Sequence, residues 1–143
     1  MAAALRAILR PVSEANVELA RRAFEAFATR DLKALLEVLD EDVEFLPVTA
    51  NLTTGGMPYR GHEGIRSYFD DVARVWAELR VYPTDYRDLG DTVVALGRIY
   101  GRGGGMIIDR PTGWVWSVRD GKLVSGQVYA SHEEALRAAG LSD

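Results

Sequence analysis

The chain has 143 residues, 48% hydrophobic and 27% charged, with a formal net charge of -4 and no cysteine. Such a length and composition predict one globular domain with a real core, and the scattered Arg and Lys offer no basic face for a nucleic-acid partner. The lack of cysteine excludes a disulfide framework, a thiol nucleophile and a zinc site built on thiolates.

Residues 1–12 read as an arm or short helix closed by Pro11 and added to a domain spanning 13–143. The apolar stretch of that arm is broken by Arg6 and Arg10 and is too short for a signal-peptide core or a membrane span. The expectation is a soluble, cytoplasmic protein with no membrane partner. From Ser13 as N-cap a helix is predicted to about Thr29, with Val17, Ala20, Phe24 and Phe27 on its buried face. Asp31 caps a shorter second helix carrying Leu32, Leu35, Leu36 and Leu39, so the two make a hairpin. Val43 and Phe45 alternate with Glu44 as a short strand. Residues 47–61 have no period and form a candidate lid, with Met57 and Tyr59 as apolar residues. A third helix runs from His62 to about Leu79 and places Ile65, Phe69, Val72, Trp76 and Leu79 on one face.

Beyond it the period becomes two. Strands are predicted over 80–88 and 92–102 around a Gly90-Asp91 turn, with Val94, Leu96, Arg98 and Tyr100 sharing a face. The glycines of 101–105 reverse the chain, and Met106 opens a long strand in which Pro111 predicts a bulge or break. Asp120-Gly121 between two apolar runs signals a two-residue hairpin turn. Counted from that turn, Val118 pairs with Leu123, Trp116 with Ser125, Trp114 with Gln127 and Thr112 with Tyr129. Trp114, Trp116, Gln127 and Tyr129 then fall on one face. Ser131-His132-Glu133-Glu134 is a capping box that opens a C-terminal helix closed by Gly140. Three helices followed by a run of antiparallel strands is an α+β layout with helices segregated to one face.

Several short signatures in this order resemble the nuclear transport factor 2-like superfamily, in particular its SnoaL-like branch. They are the helical hairpin closing on Arg30-Asp31, Tyr59-Arg60-Gly61 leading into His62-Glu63-Gly64-Ile65, and Gly90-Asp91 before Val93-Val94. The strand 115–118 running into Arg119-Asp120-Gly121-Lys122, and Tyr129 followed by the helix from Glu133, complete the set. The resemblance implies a cone-shaped, curved antiparallel sheet wrapped on three N-terminal helices, with a short C-terminal helix. It also implies a deep apolar pocket and a homodimer formed through the sheets. It does not imply one activity, because the superfamily holds isomerases, dehydratases, hydrolases, cyclases, ligand binders and docking modules.

The acid–base sets of three such activities are lost at the matching positions. The steroid-isomerase tyrosine, aspartate base and protonated acid correspond to Ala23, Pro47 and Trp114. The epoxide-hydrolase Arg-x-Asp becomes Arg98-x-Tyr100, its second aspartate becomes Val128 before Tyr129, and the last-strand aspartate of cyclases falls at Ser131.

Arg98, on a face with Val94 and Leu96, either binds an anionic or carbonyl-bearing ligand or meets a structural carboxylate, with Asp85 the nearest partner. In an enzyme Arg98 would stabilise an oxyanion, Tyr100 or Tyr129 would donate, and Asp85 would be the strand-borne base. Trp114, Trp116, Trp76, Tyr59 and Phe24 are candidate ligand contacts, with core packing the alternative for the tryptophans. Gln127 and Tyr129 orient a ligand carbonyl or bond the backbone. His62 and His132 sit at helix starts without metal-site spacing and read as solvated. The sequence thus predicts a pocket for a small apolar or amphipathic molecule. Its reading is a cofactor-independent isomerase, cyclase or hydrolase without metal, or else a non-catalytic ligand-binding or dimeric interaction module.

Overall fold

The computed structural model describes residues 2–141, with side chains over 14–141. Helix α1 (Ala2–Ala28) runs unbroken through Pro11, so the first helix of the domain does not begin at Ser13 as expected. Proline withholds one N–H from the helical ladder, and the helix continues past the missing rung. Val17, Ala20, Ala23, Phe24 and Phe27 form its buried stripe. Arg30, at a φ of 55°, turns the chain, and Asp31 accepts from the Ala34 N–H at 3.1 Å to cap α2 (Leu32–Val38). Leu39, expected on that helix, instead opens strand β1 (Leu39–Leu46).

Strand β2 (Tyr59–Arg60) pairs with β1 and leads into α3 (Gly61–Val75), which ends earlier than its apolar period suggests. Trp76 is its C-cap and Leu79 lies in β3 (Glu78–Asp88). The cause is β4 (Thr92–Gly103), whose glycines let the helix end descend onto the sheet. A Cβ at Gly103 would lie 2.4 Å from the Val75 carbonyl oxygen, and one at Gly101 would lie 3.1 Å from the Trp76 ring. The ladder therefore takes the chain at once, with Ala77 N–H donating to the Arg102 carbonyl at 2.8 Å.

With β5 (Met106–Arg119) and β6 (Lys122–Tyr129) the sheet order is β2-β1-β6-β5-β4-β3. The curved sheet stays open, and it is mixed rather than wholly antiparallel, because β1 and β6 run parallel. Pro111 causes no break. The β4–β5 register passes through it, and β6 reaches only to Gly113, so that edge of β5 is unpaired there.

The Asp120-Gly121 turn has the two positive φ values the sequence predicts, 52° and 74°, and Val118 pairs with Leu123. One residue later a bulge at Val124 sets Ser125 opposite Ser117, so Trp116 faces Gly126 and Trp114 faces Val128. A slip of one residue moves the rest of a strand to the other face. Ser125, Gln127 and Tyr129 are thus on the face away from the tryptophans, which corrects the predicted register. The physical reason is the Trp116 indole, which lies on Gly126 where a Cβ would come within 2.3 Å of its Cζ3.

The principal core lies between α1, α2, α3 and the inner sheet face, with Val93, Ala95, Trp114, Trp116 and Leu123 facing inward. On the outer face α4 (His132–Ala138) seats Ala135 against Gly113, Val94 and Leu96. Its capping box forms as predicted, with Ser131 Oγ accepting from the Glu134 N–H at 3.1 Å.

Candidate functional site

The inner face of the sheet and the three N-terminal helices line a partly open cavity with an interior of about 50 Å³, room for roughly four water molecules. Helix α1 contributes Ala23, Phe24 and Phe27; the α2–β1 segment contributes Leu35, Leu39 and Phe45. Ile65 and Tyr68 come from α3, Val81 from β3, and Trp114 and Trp116 from β5. Aromatic contacts fix this wall. Phe24 meets Trp114 edge-on at 5.1 Å, while Phe45 stacks on Trp116 at 5.8 Å and meets Tyr68 edge-on at 5.0 Å.

Three polar side-chain groups belong to the lining: the Tyr68 hydroxyl and the indole N–H groups of Trp114 and Trp116. Tyr68 is its one ionisable side chain, and burial pushes its phenol pKa up against the opposing charge of Arg30. Trp116 is 6% exposed, and its Nε1–H is buried without an acceptor. Beside the cavity the Arg30 guanidinium lies 3.9 Å from the centroid of Phe27 and donates to the Phe27 and Leu79 carbonyls. Burial lowers its pKa, while the field of Tyr68 raises it.

Behind Tyr68, at 5.1 Å between ring centroids, sits Tyr59. Its hydroxyl donates to Asp71 Oδ2 at 2.7 Å and shares a 2.6 Å hydrogen bond with Thr53 Oγ1. Burial, reinforced by Asp71, pushes its pKa up to about 12. The Tyr59 hydrogen bond, with Arg74 at 3.0 Å, holds the Asp71 carboxyl below its ordinary range. Tyr59 thereby pins the candidate lid to α3, and no residue of that loop lines the cavity.

Phe24, Trp114 and Trp116 come together in the cavity, while the other predicted contacts lie elsewhere. Trp76 is buried in a separate cluster with Leu79 and Ile99. Gln127 and Tyr129 border a shallow outer groove with Glu44, Ser117 and Ser125, because of the Val124 bulge. Arg98 is exposed and pairs with Asp109 at 2.9 Å, not with Asp85. A second bulge between Pro83 and Asp85 sets Tyr82 opposite Arg98, while Asp85, opposite Leu96, accepts from Arg87 instead. Tyr100 is opposite Asp109 on that same outer face. The expected set of Arg98, Asp85, Tyr100 and Tyr129 therefore does not converge on the cavity.

The histidines are not simply solvated, since His62 Nε2 bonds the Leu39 carbonyl at 3.0 Å and His132 Nε2 bonds the Gly97 carbonyl at 2.8 Å. Among the described residues no group of three or more His, Cys, Asp or Glu is placed to hold a metal ion, and no helix is long and apolar enough to cross a membrane. The reading of the sequence missed Tyr68. Its signal was present, because 65, 68, 69 and 72 are one helical stripe, in which a tyrosine counts as apolar surface with a polar tip.

Compared with known proteins, residues 20–126 match the SnoaL-like domain. No protein of curated function matches the chain. An NTF2-like protein of unknown function from Burkholderia pseudomallei K96243 is 26% identical, with a TM-score of 0.73 over 86% of this chain and 95% of that one. TerC, crystallised with polyporic acid, is 25% identical, with a TM-score of 0.72 over 86% of this chain and 98% of its own. A Catenulispora acidiphila protein of ketosteroid isomerase-like fold, in complex with trimethylamine, is 20% identical. Its TM-score is 0.67 over 87% of this chain and 93% of that one, a likeness of fold alone.

Proposed function

The chain belongs to the SnoaL-like domain family, and from that premise we propose that it binds a small, mostly apolar, ring-bearing molecule between the tryptophan face of its sheet and α1 and α3. The observation that supports this is the lining itself. Aromatic and aliphatic side chains wall the cavity, and no carboxylate, imidazole or guanidinium is among them. Binding is the reading we favour over turnover, because a general base is missing from the wall and Tyr68 is its one group able to exchange a proton. The family's cyclases and isomerases keep a cofactor-independent reaction as the alternative, with polarisation by Tyr68 as its only internal source of catalysis. TerC's complex with polyporic acid is consistent with a ring-bearing ligand.

We place the protein in a cytoplasmic homodimer, paired through the outer sheet face where Ser117, Gln127 and Tyr129 border a shallow groove. Sedimentation at micromolar concentration tests the pairing, and a monomer mass would remove it. The cavity is tested by intrinsic fluorescence. The closed interior is too small for a whole ring system, so a ring-bearing ligand must also occupy the pocket's open side. Trp114 and Trp116 line the pocket, so titration with tetralin should give a saturable change, and failure of tetralin, naphthalene and indane alike to do so would reject the reading.

A further inference from the structure

We infer that the part of the ligand held in the closed interior is a neutral, compact, branched alkyl group such as isopropyl or tert-butyl, and that the ring bearing it lies across the open side. This rests on the cavity being the ligand site, and adds the class of ligand. The interior has room for roughly four water-sized groups, which a head of about three or four carbons fills. The walls fix its shape. Phe45 and Trp116 are parallel to within 10°, but their centroids are 5.8 Å apart, less than the ~7 Å that a flat ring needs between two faces at van der Waals contact. The other rings close the space as a box, not a slot. Phe24 stands at 81° to Trp114 and 82° to Trp116, and Tyr68 at 69° to Phe45. A box takes a head as wide as it is long, whereas a straight chain of the same carbon count has to coil and give up its rotor freedom.

The walls also set the charge of the head. A methylated ammonium has the shape of a tert-butyl group, and aromatic faces attract cations. In this cavity, though, it would leave water for a lining without a carboxylate, and the Arg30 guanidinium lies 3.9 Å from the centroid of the lining residue Phe27. A neutral alkyl head gives up no ionic hydration and gains the burial of its methyl groups against aromatic carbon.

The test is calorimetric titration of the wild-type protein with tert-butylbenzene, n-butylbenzene and phenyltrimethylammonium. The two hydrocarbons have the same formula, so only shape separates them. The cation has the shape of the first, so only charge separates that pair. The tert-butyl probe should displace tetralin, and should bind about tenfold tighter than the n-butyl probe and about a hundredfold tighter than the cation. Ala23→Leu, which fills the interior from the α1 side, should weaken the tert-butyl probe by more than about tenfold through lost burial, and the wild-type comparison stands without the variant. Equal affinity for the two hydrocarbons, a cation bound as tightly as its neutral isostere, or a tert-butyl affinity untouched by Ala23→Leu would each overturn the inference, and with tetralin still bound would leave the cavity reading intact. Failure of tetralin and all three probes to bind wild type would instead overturn the cavity reading, and this inference with it.

Discussion

Gly126 sets the position of the Trp116 indole. A methyl group there would sit 2.3 Å from Trp116 Cζ3, and the indole has little room to retreat because Phe45 stacks on it and Phe24 meets it edge-on at 6.2 Å. Gly126→Ala should therefore destabilise the fold by about 1–3 kcal/mol, the usual cost of overpacking a core, as measured by urea unfolding. Arg98→Met makes the opposite case. Its guanidinium is half exposed in a pair with Asp109, so stability should move by no more than about 0.5 kcal/mol and tetralin affinity should be unchanged. A large loss of binding in that variant would return Arg98 to the site. These two residues also mark what could be read at this scale. Asp120-Gly121 announces its turn through local backbone chemistry, whereas nothing in Leu123-Val124-Ser125 announces a bulge. The bulge answers a contact across the sheet, Trp116 on Gly126, and it alone removes Gln127 and Tyr129 from the tryptophan face.

Between elements, the Tyr59–Asp71 bond fastens β2 and its loop to α3, and its two pKa shifts act at opposite ends of the pH scale. The Asp71 carboxyl is held below its ordinary 3.8, so its contribution is full above that pH and is lost as pH falls through the lowered value. The Tyr59 phenol is raised from 10.0 to about 12, so its contribution is full below 10.0 and is lost as pH rises toward 12. Tyr59→Phe removes the proton donor. The Asp71 carboxyl should then titrate nearer its ordinary value by NMR, and the alkaline fall in stability between pH 10 and 12 should become shallower. An unmoved Asp71 would show that Arg74 alone holds it down. Element boundaries follow the same division between local and distant causes. The caps at Asp31 and Ser131 are decided by a side chain and a backbone N–H three residues on, and both are visible in sequence. The end of α3 is decided by Gly101 and Gly103, more than twenty residues further along the chain, and the harmlessness of Pro111 by where β6 stops.

For the whole molecule, the order of helices and then strands was legible because it follows from hydrophobic period alone, and the family signatures gave the curvature of the sheet. The cavity was legible only in part. Its floor of Phe24, Trp114 and Trp116 came from strand and helix periodicity, but the emptiness between them is a property of how six elements meet, which no single stretch encodes. That emptiness predicts a linkage between ligand and stability. A molecule that enters the cavity binds the folded chain and not the unfolded one, so tetralin at a hundred times its dissociation constant should add about 2.7 kcal/mol. For a domain of this size that is a rise in Tm of about 5 to 10 °C. Ala23→Leu adds three carbons to a lining position that is 3% exposed, and should fill the space from within. The variant should melt within a few degrees of the unliganded wild type and show no further rise with tetralin, in thermal scans followed by near-UV circular dichroism. If tetralin instead raises the Tm of Ala23→Leu as much as that of the wild type, the ligand sits elsewhere, and the outer groove of Ser117, Ser125 and Gln127 becomes the place to look.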